Sequence, residues 1–300
     1  MRRVGGYNID ALTPDQSGPV NLAHVLVGSE GTLAFFEKIE LALSPLPRST
    51  VLGICHFPSF YEAMVATKAI VSLEPTAVEL VDRTLIDLAR DIDLFRNVIA
   101  EVIQGEPEAV LLVEFAETEE GENLRRLEYL RDLMGDLGYD TGMVEVIAPQ
   151  MQRAVWGMRK QGLNIVMSMK GDGKPISFVE DCAVELEDLP EYTARLDAIF
   201  QKYNTRGTWY AHASVGTLHV RPVLNVKLDQ DVKKMRAIAE EAFALVREYK
   251  GSHSGEHGDG IARSEFHESM FGGRIVSAFQ EVKRAFDPEN RLNPGRIVDP

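Results

Sequence analysis

Cysteine is nearly absent, with Cys55 and Cys182 the two examples in 300 residues. They stand far apart and in neither metal-type nor redox-type spacing, which excludes a disulfide framework and a cysteine zinc site and points to a reducing compartment, the cytoplasm. Basic charge is short as well. Lys and Arg number 32 against 46 Asp and Glu, a formal net charge of -14, so the chain repels a phosphate backbone and is not expected to take nucleic acid or an anionic membrane as its main partner. A local basic site for a small anion is still compatible with that balance. No apolar run reaches the length of a membrane span, and the opening MRRVGGYNID has two arginines but no apolar segment of a signal peptide. The following VGGYNIDALTPDQSGP is rich in Gly, Pro and Asp and reads as the interior of a longer protein.

What remains is enough to fold. With 45% hydrophobic and 26% charged residues, the chain can bury a sizeable core as one large domain or two ordinary ones. Residues 25–43 read as a short strand, a glycine turn and a second strand, ended by Pro45 and Pro47 at a candidate domain boundary. Beyond it, VLGICHF (51–57) and AVLLVEF (109–115) read as strands. Ser59 and Glu62 have capping-box spacing ahead of a helix to about residue 73. Leu124, Leu127, Leu130, Leu133 and Leu137 mark a helix face. GMVEVI, ISFVEDCAVEL and RGTWYAHA suggest further strands, with helices near 149–168, 189–203 and 229–249. Short, irregular connections favour an α+β fold with an antiparallel or mixed sheet and helices on one face.

Histidine is scarce too, and its placement is uneven: four of seven fall between residues 212 and 257. His212 and His219 flank Gly216 in YAHASVGTLHV. A separation of seven puts them on opposite faces of a straight strand, and on one face only if the chain folds back at the glycine. Glu256 and His257 sit between glycines in SGEHGDG (254–260), a shaped loop that lets a ligand approach the main chain. Two imidazoles and a carboxylate, His212, His219 and Glu256, make a common donor set for zinc or a similar divalent ion. Taken singly, each histidine is as readily a hydrogen-bonded core residue, and His253 and His267 are read as incidental. Arg159, on a helix with Trp156 and Met158 nearby, can grip a carboxylate or simply face water. The turn GSEGT (28–32) can offer backbone N–H groups to a phosphate or a ring edge, or be an ordinary hairpin turn; it is neither a P-loop nor a dinucleotide fingerprint.

Four segments occur in one order: LVGSEGTL (26–33), AHASVGTLH (211–219), SGEHGDG, and FDPENRLNPGRIV (286–298). In this the chain resembles the FAD-linked oxidases of the vanillyl-alcohol oxidase type, the group of the D-lactate, glycolate and D-2-hydroxyglutarate dehydrogenases. The resemblance implies that residues 1–47 are the end of an FAD-binding domain, 48–285 a substrate or cap domain, and 286–300 a tail returning to the flavin. It implies that Ser29, Glu30, Gly31 and Thr32 lie against FAD and Asn293 near its ring. His212, His219 and Glu256 would hold a divalent metal, zinc by type; His257 would be the catalytic base and Arg159 the anchor of the substrate carboxylate. The family commonly has GDGN between the two histidines where this chain has SVGT. SFVEDCAV (177–184) and HASVGTLHVRP look closest to the large fused flavin and iron-sulfur members, whose iron-sulfur cluster would lie past Pro300. The implied reaction oxidises a small D-2-hydroxy acid to the 2-oxo acid by hydride transfer to flavin N5. An unnamed electron acceptor, peripheral to a membrane or not, would follow, and homo-oligomer formation is left open. Two other classes stay in view, a flavin-independent metal hydrolase on the same ligands and a non-catalytic assembly domain.

Overall fold

A computed structural model describes residues 3–13 and 20–300. Its frame is an antiparallel sheet of β1 (Val51–Phe57), β2 (Ala77–Asp82), β3 (Ala109–Phe115), β4 (Met143–Val146), β5 (Lys174–Pro175), β6 (Cys182–Ala183), β7 (Gly207–His212) and β8 (Thr217–Leu224). Their order is β4-β1-β3-β2-β7-β8-β5, with β6 also on β8. The α+β antiparallel architecture expected from the sequence is the one observed.

The helices cover both faces of this sheet, not the one face expected. Every side chain of β1 is buried, and all of β3 except Glu114. Strands apolar at each position need cover on both sides. Cys55, Phe57, Leu111, Val113 and Phe115 pack with side chains of helices Phe60–Val71, Glu120–Asp136, Leu189–Lys202 and Asp229–Glu248. Leu52, Ile54, Val110 and Leu112 face the other way, toward helices Arg83–Arg90, Asp93–Val102, Pro149–Lys160 and Gly162–Met167. Each fully buried Leu, Ile or Phe contributes about 1.5–3 kcal/mol, so this double layer is the main stabilising element.

Local signals behave as their chemistry requires. Ser59 Oγ accepts from Glu62 N at 3.1 Å and donates to Glu62 Oε2 at 2.6 Å, closing the capping box before helix Phe60–Val71. In helix Glu120–Asp136 the core face is Leu127, Leu130 and Met134, while Leu124 and Leu137 are exposed. A spacing of three drifts around the helix, so a row of five leucines cannot all face inward. The helix expected over 149–168 breaks at Gln161, and Gly162 lies so close to helix Arg83–Arg90 that a Cβ there would meet Leu85 Cδ1 at 3.1 Å.

Two expected strands differ. Residues 25–43 begin in the last turn of helix Leu22–Leu26, capped by Asn21, and have no ladder pairing among the described residues after it. A strand needs a neighbour, and here Phe35, Leu41 and Leu43 are 86%, 80% and 93% exposed. In ISFVEDCAVEL only Cys182–Ala183 joins the sheet, because Asp181 takes a left-handed φ of 77° just before it. A third small core ties the chain's two ends together through Tyr7, Val25, Leu33, Phe279, Ile297 and Val298.

Candidate functional site

The β7–β8 hairpin brings the two histidines to one face. Tyr210 pairs with His219 and His212 with Thr217, so His219 lies diagonal to His212 on the same side of the sheet. A 3-10 turn, Ala213–Val215, leads to Gly216 at φ 67°, ψ 17°. A Cβ at that position would stand 1.9 Å from the Val184 carbonyl oxygen. Only glycine fits both the left-handed angle and the close approach.

The SGEHGDG loop meets the hairpin. Glu256 Oε1 stands 3.1 Å from His212 Nε2 and 3.2 Å from His219 Nε2. His257 stacks on His219 at 4.9 Å between ring centroids, with its Nε2 3.8 Å from the same Glu256 oxygen. Its side chain is 38% exposed against 29% for His212 and 3% for His219, making it the most open imidazole of the three. Asp181 shapes the loop from beneath. Its carboxylate accepts from Glu256 N at 3.0 Å and His257 N at 2.8 Å, and its carbonyl from Gly255 N at 2.7 Å. The ligand atoms of Asp181, His219, Glu256 and His257 all lie within 4.8 Å of one another. Since Asp181 is taken up by loop amides, the donors facing outward are the imidazoles and Glu256.

A second layer comes from β2 and helix Pro149–Lys160. Glu79, directly opposite His212 in the β2–β7 register, places Oε1 2.7 Å from His212 Nδ1 and Oε2 2.6 Å from Arg159 Nη2. A carboxylate only accepts, so Nδ1 carries the proton. In the neutral ring the Nε2 lone pair then faces the site, the carboxylate–histidine arrangement typical of metal ligands. The Glu79 hydrogen bond raises the His212 pKa, whereas burial, with His212 and His257 nearby, pushes His219 down to about 2. His219 is therefore a neutral lone-pair donor. Arg159 lies 4.8 Å over the Tyr210 ring, and its Nε is buried without a partner. Arg221 donates from Nε to Glu180 Oε2 at 2.6 Å, and Glu180 Oε1 is 3.7 Å from His257 Nδ1.

The glycine turn reaches the same loop from the other side. Glu30 accepts from Asp259 N at 2.5 Å and Gly260 N at 2.9 Å. Asn293 Nδ2 donates to the Glu30 carbonyl at 2.8 Å. Thr32 Oγ1 bonds Tyr7 Oη at 2.6 Å, the Ser29 hydroxyl is buried without a partner, and Gly28 and Gly31 have open space where a Cβ would project. Thus Ser29–Thr32 and Asn293 form one patch, joined through Glu30 to the Glu256 loop.

Every residue singled out in the sequence falls in one of these two connected groups. Sequence reasoning missed Glu79, Asp181, Glu180 and Arg221. A carboxylate flanked by apolar residues in AVELV and the acidic pair in SFVEDCAV were the available signals. A surface groove of about 500 Å³ lies apart from these residues, between Ser59, Asp82, Thr193 and Trp209. Among the described residues no helix is long and apolar enough to cross a membrane.

Comparison with known proteins gives a consistent picture. The model of FAD linked oxidases, C-terminal domain, matches residues 46–297. D-2-hydroxyglutarate dehydrogenases of Pseudomonas putida and Escherichia coli are each 33% identical over 305 and 309 residues, covering 100% of this chain and 30% of theirs. A D-lactate dehydrogenase of Archaeoglobus fulgidus is 26% identical over 97% of this chain and 61% of its own length. The chain thus spans about a third of the D-2-hydroxyglutarate dehydrogenases it matches. In fold it is similar to 4-ethylphenol oxidase from Gulosibacter chungangensis, with a TM-score of 0.67 at 12% identity over 96% of this chain and 60% of that one.

Proposed function

The chain belongs to the FAD linked oxidases by their C-terminal domain, and from that premise we propose that it supplies the substrate side of a flavoprotein oxidising a D-2-hydroxy acid to the 2-oxo acid. The observation that carries the reading is the meeting of His212 Nε2 and His219 Nε2 on one Glu256 oxygen, at 3.1 and 3.2 Å. Two ring nitrogens and a carboxylate oxygen so close need a proton or a cation among them, and two imidazoles with one carboxylate are a donor set that fits a divalent metal of the zinc class. When bound, such an ion polarises the substrate hydroxyl and lowers the barrier to its ionisation. His212, His219 and Glu256 would hold it, with Glu79 fixing the His212 tautomer.

His257 takes the hydroxyl proton. It is the exposed imidazole beside the ligand set, and a positioned base contributes about 10²–10⁴-fold. Arg159 orients the substrate carboxylate from its place over Tyr210, Glu79 holding the guanidinium by one nitrogen. The patch of Ser29, Glu30, Gly31, Thr32 and Asn293 fits a flavin edge, since the Ser29 hydroxyl is buried without a partner and Gly28 and Gly31 leave open space beside it. Bound FAD supplies the hydride acceptor. On this reading residues 1–47 and 286–300 belong with the flavin-binding domain and 48–285 form the cap. The uncovered apolar side chains of residues 35–46 support a division near residue 47, while the small core of the two ends also takes in Phe279 of helix Gly273–Phe286.

The test is anaerobic mixing of the flavin-loaded protein with D-2-hydroxyglutarate, D-lactate and glycolate while flavin absorbance is followed. His257→Gln is expected to slow bleaching about a hundredfold with metal content unchanged. Bleaching at the unaltered rate removes His257 from the mechanism.

A further inference from the structure

His253 and His267, read from the sequence as incidental, converge with Asp259 on the inner side of the SGEHGDG loop. The three side chains are 0–3% exposed, and their ligand atoms lie within 4.8 Å of one another. His253 Nε2 is 3.4 Å from Asp259 Oδ1 and His267 Nε2 is 2.9 Å from Asp259 Oδ2. Neither contact has hydrogen-bond geometry. Both ring nitrogens of His253, the Nε2 of His267 and Asp259 Oδ1 are buried without a hydrogen-bond partner.

His267 Nδ1 is 2.8 Å from the Ile297 carbonyl oxygen, which only accepts, so that nitrogen carries the proton. The neutral ring then turns its Nε2 lone pair toward a carboxylate. Protonating His267 would ease that one contact and still leave His253 with two orphan nitrogens, an expensive state for a buried polar group. Water has little access, because the rings of Phe243, Phe271 and Phe279 pack around the two imidazoles at 5.3–6.0 Å between centroids. Arg263 donates to the Gly258 and Glu180 carbonyls, so its charge lies near the cluster but its hydrogen bonds satisfy none of these four atoms.

We propose that His253, Asp259 and His267 bind a second divalent transition metal of the zinc class, buried and structural, sharing no ligand with His212, His219 and Glu256. Two imidazole nitrogens and one carboxylate oxygen, all unsatisfied and enclosed, are the donor set such an ion takes. The position explains its use. Asp259 also accepts from Gly6 N at 2.6 Å, and His267 bonds Ile297, so the ion clamps both chain ends to the loop that presents Glu256 and His257.

The experiment is elemental analysis of the protein purified with zinc supplied. The variant with His212→Gln, His219→Gln and Glu256→Gln is expected to keep one zinc per chain, and adding His253→Phe to lower it to none. In the otherwise unaltered protein His253→Phe alone should remove one equivalent with far-ultraviolet circular dichroism unchanged. A folded triple variant without zinc, or a His253→Phe protein with undiminished zinc, overturns the proposal. Failure of the outer site alone gives a different result, one zinc in both the unaltered protein and the triple variant.

Discussion

Gly216→Ala isolates what places His219 beside His212. Two costs are readable. An alanine at φ 67° costs about 1–2 kcal/mol for the left-handed conformation. Its methyl would also stand 1.9 Å from the Val184 carbonyl oxygen, a backbone atom that accommodates it only if the hairpin moves, for a further 1–3 kcal/mol or so. The sum is about 2–5 kcal/mol. Gly105→Ala is the control, because Gly105 has φ 65° and nothing within 4 Å of its would-be Cβ, leaving the conformational cost alone. Urea denaturation of both variants measures the difference, and zinc analysis follows the site. Gly216→Ala should lose more stability than Gly105→Ala by at least 1 kcal/mol or so and lose the outer metal with it. Equal losses in the two variants, with metal retained, would refute the claim that this glycine sets the approach of the two imidazoles.

Two more outcomes follow from buried groups. Burial raises the Asp82 pKa from 3.8 to about 6, although Asp82 caps helix Arg83–Arg90 and accepts from Leu85 N and Trp209 N. The folded state therefore binds the proton more tightly than the unfolded one, and the group's contribution to stability is full below pH 3.8 and falls as pH rises through 6, by about 3 kcal/mol. The stability difference between the unaltered protein and Asp82→Asn should vary with pH over that window; a constant offset in denaturant titrations at pH 4 and pH 7 contradicts this. Both cysteines are free and buried, and burial drives each thiol pKa up, that of Cys182 to about 12. Neither should react with a thiol reagent at pH 8 until denaturant is added, and prompt labelling of the native protein would show the core to be open.

What the sequence disclosed was local. A glycine between two histidines already requires a fold-back, and a Glu-His pair among glycines already marks a shaped loop, so the meeting of His212, His219 and Glu256 was legible once the two segments were set together. The supports were not. Glu79 reaches His212 only through the pairing of β2 with β7, whose strands are separated by more than a hundred residues, and no local pattern records that register. Asp181 acts through a left-handed backbone angle and a return to the Glu256 loop, both tertiary. The same holds for His253 and His267, which looked incidental because the residue that joins them, Asp259, was read as part of a turn. Residues 34–43 carry strand-like alternation, yet a strand is completed by its neighbour, and among the described residues they have none.

The most direct measurement is flavin bleaching by D-2-hydroxyglutarate and D-lactate in the anaerobic, flavin-loaded protein before and after chelation of the outer metal, with zinc then returned. Bleaching should collapse on chelation, recover with zinc, and fail to recover in His219→Gln. Rapid bleaching that neither chelator nor His219→Gln diminishes would contradict the assignment of these imidazoles and Glu256 to a cation that activates the substrate.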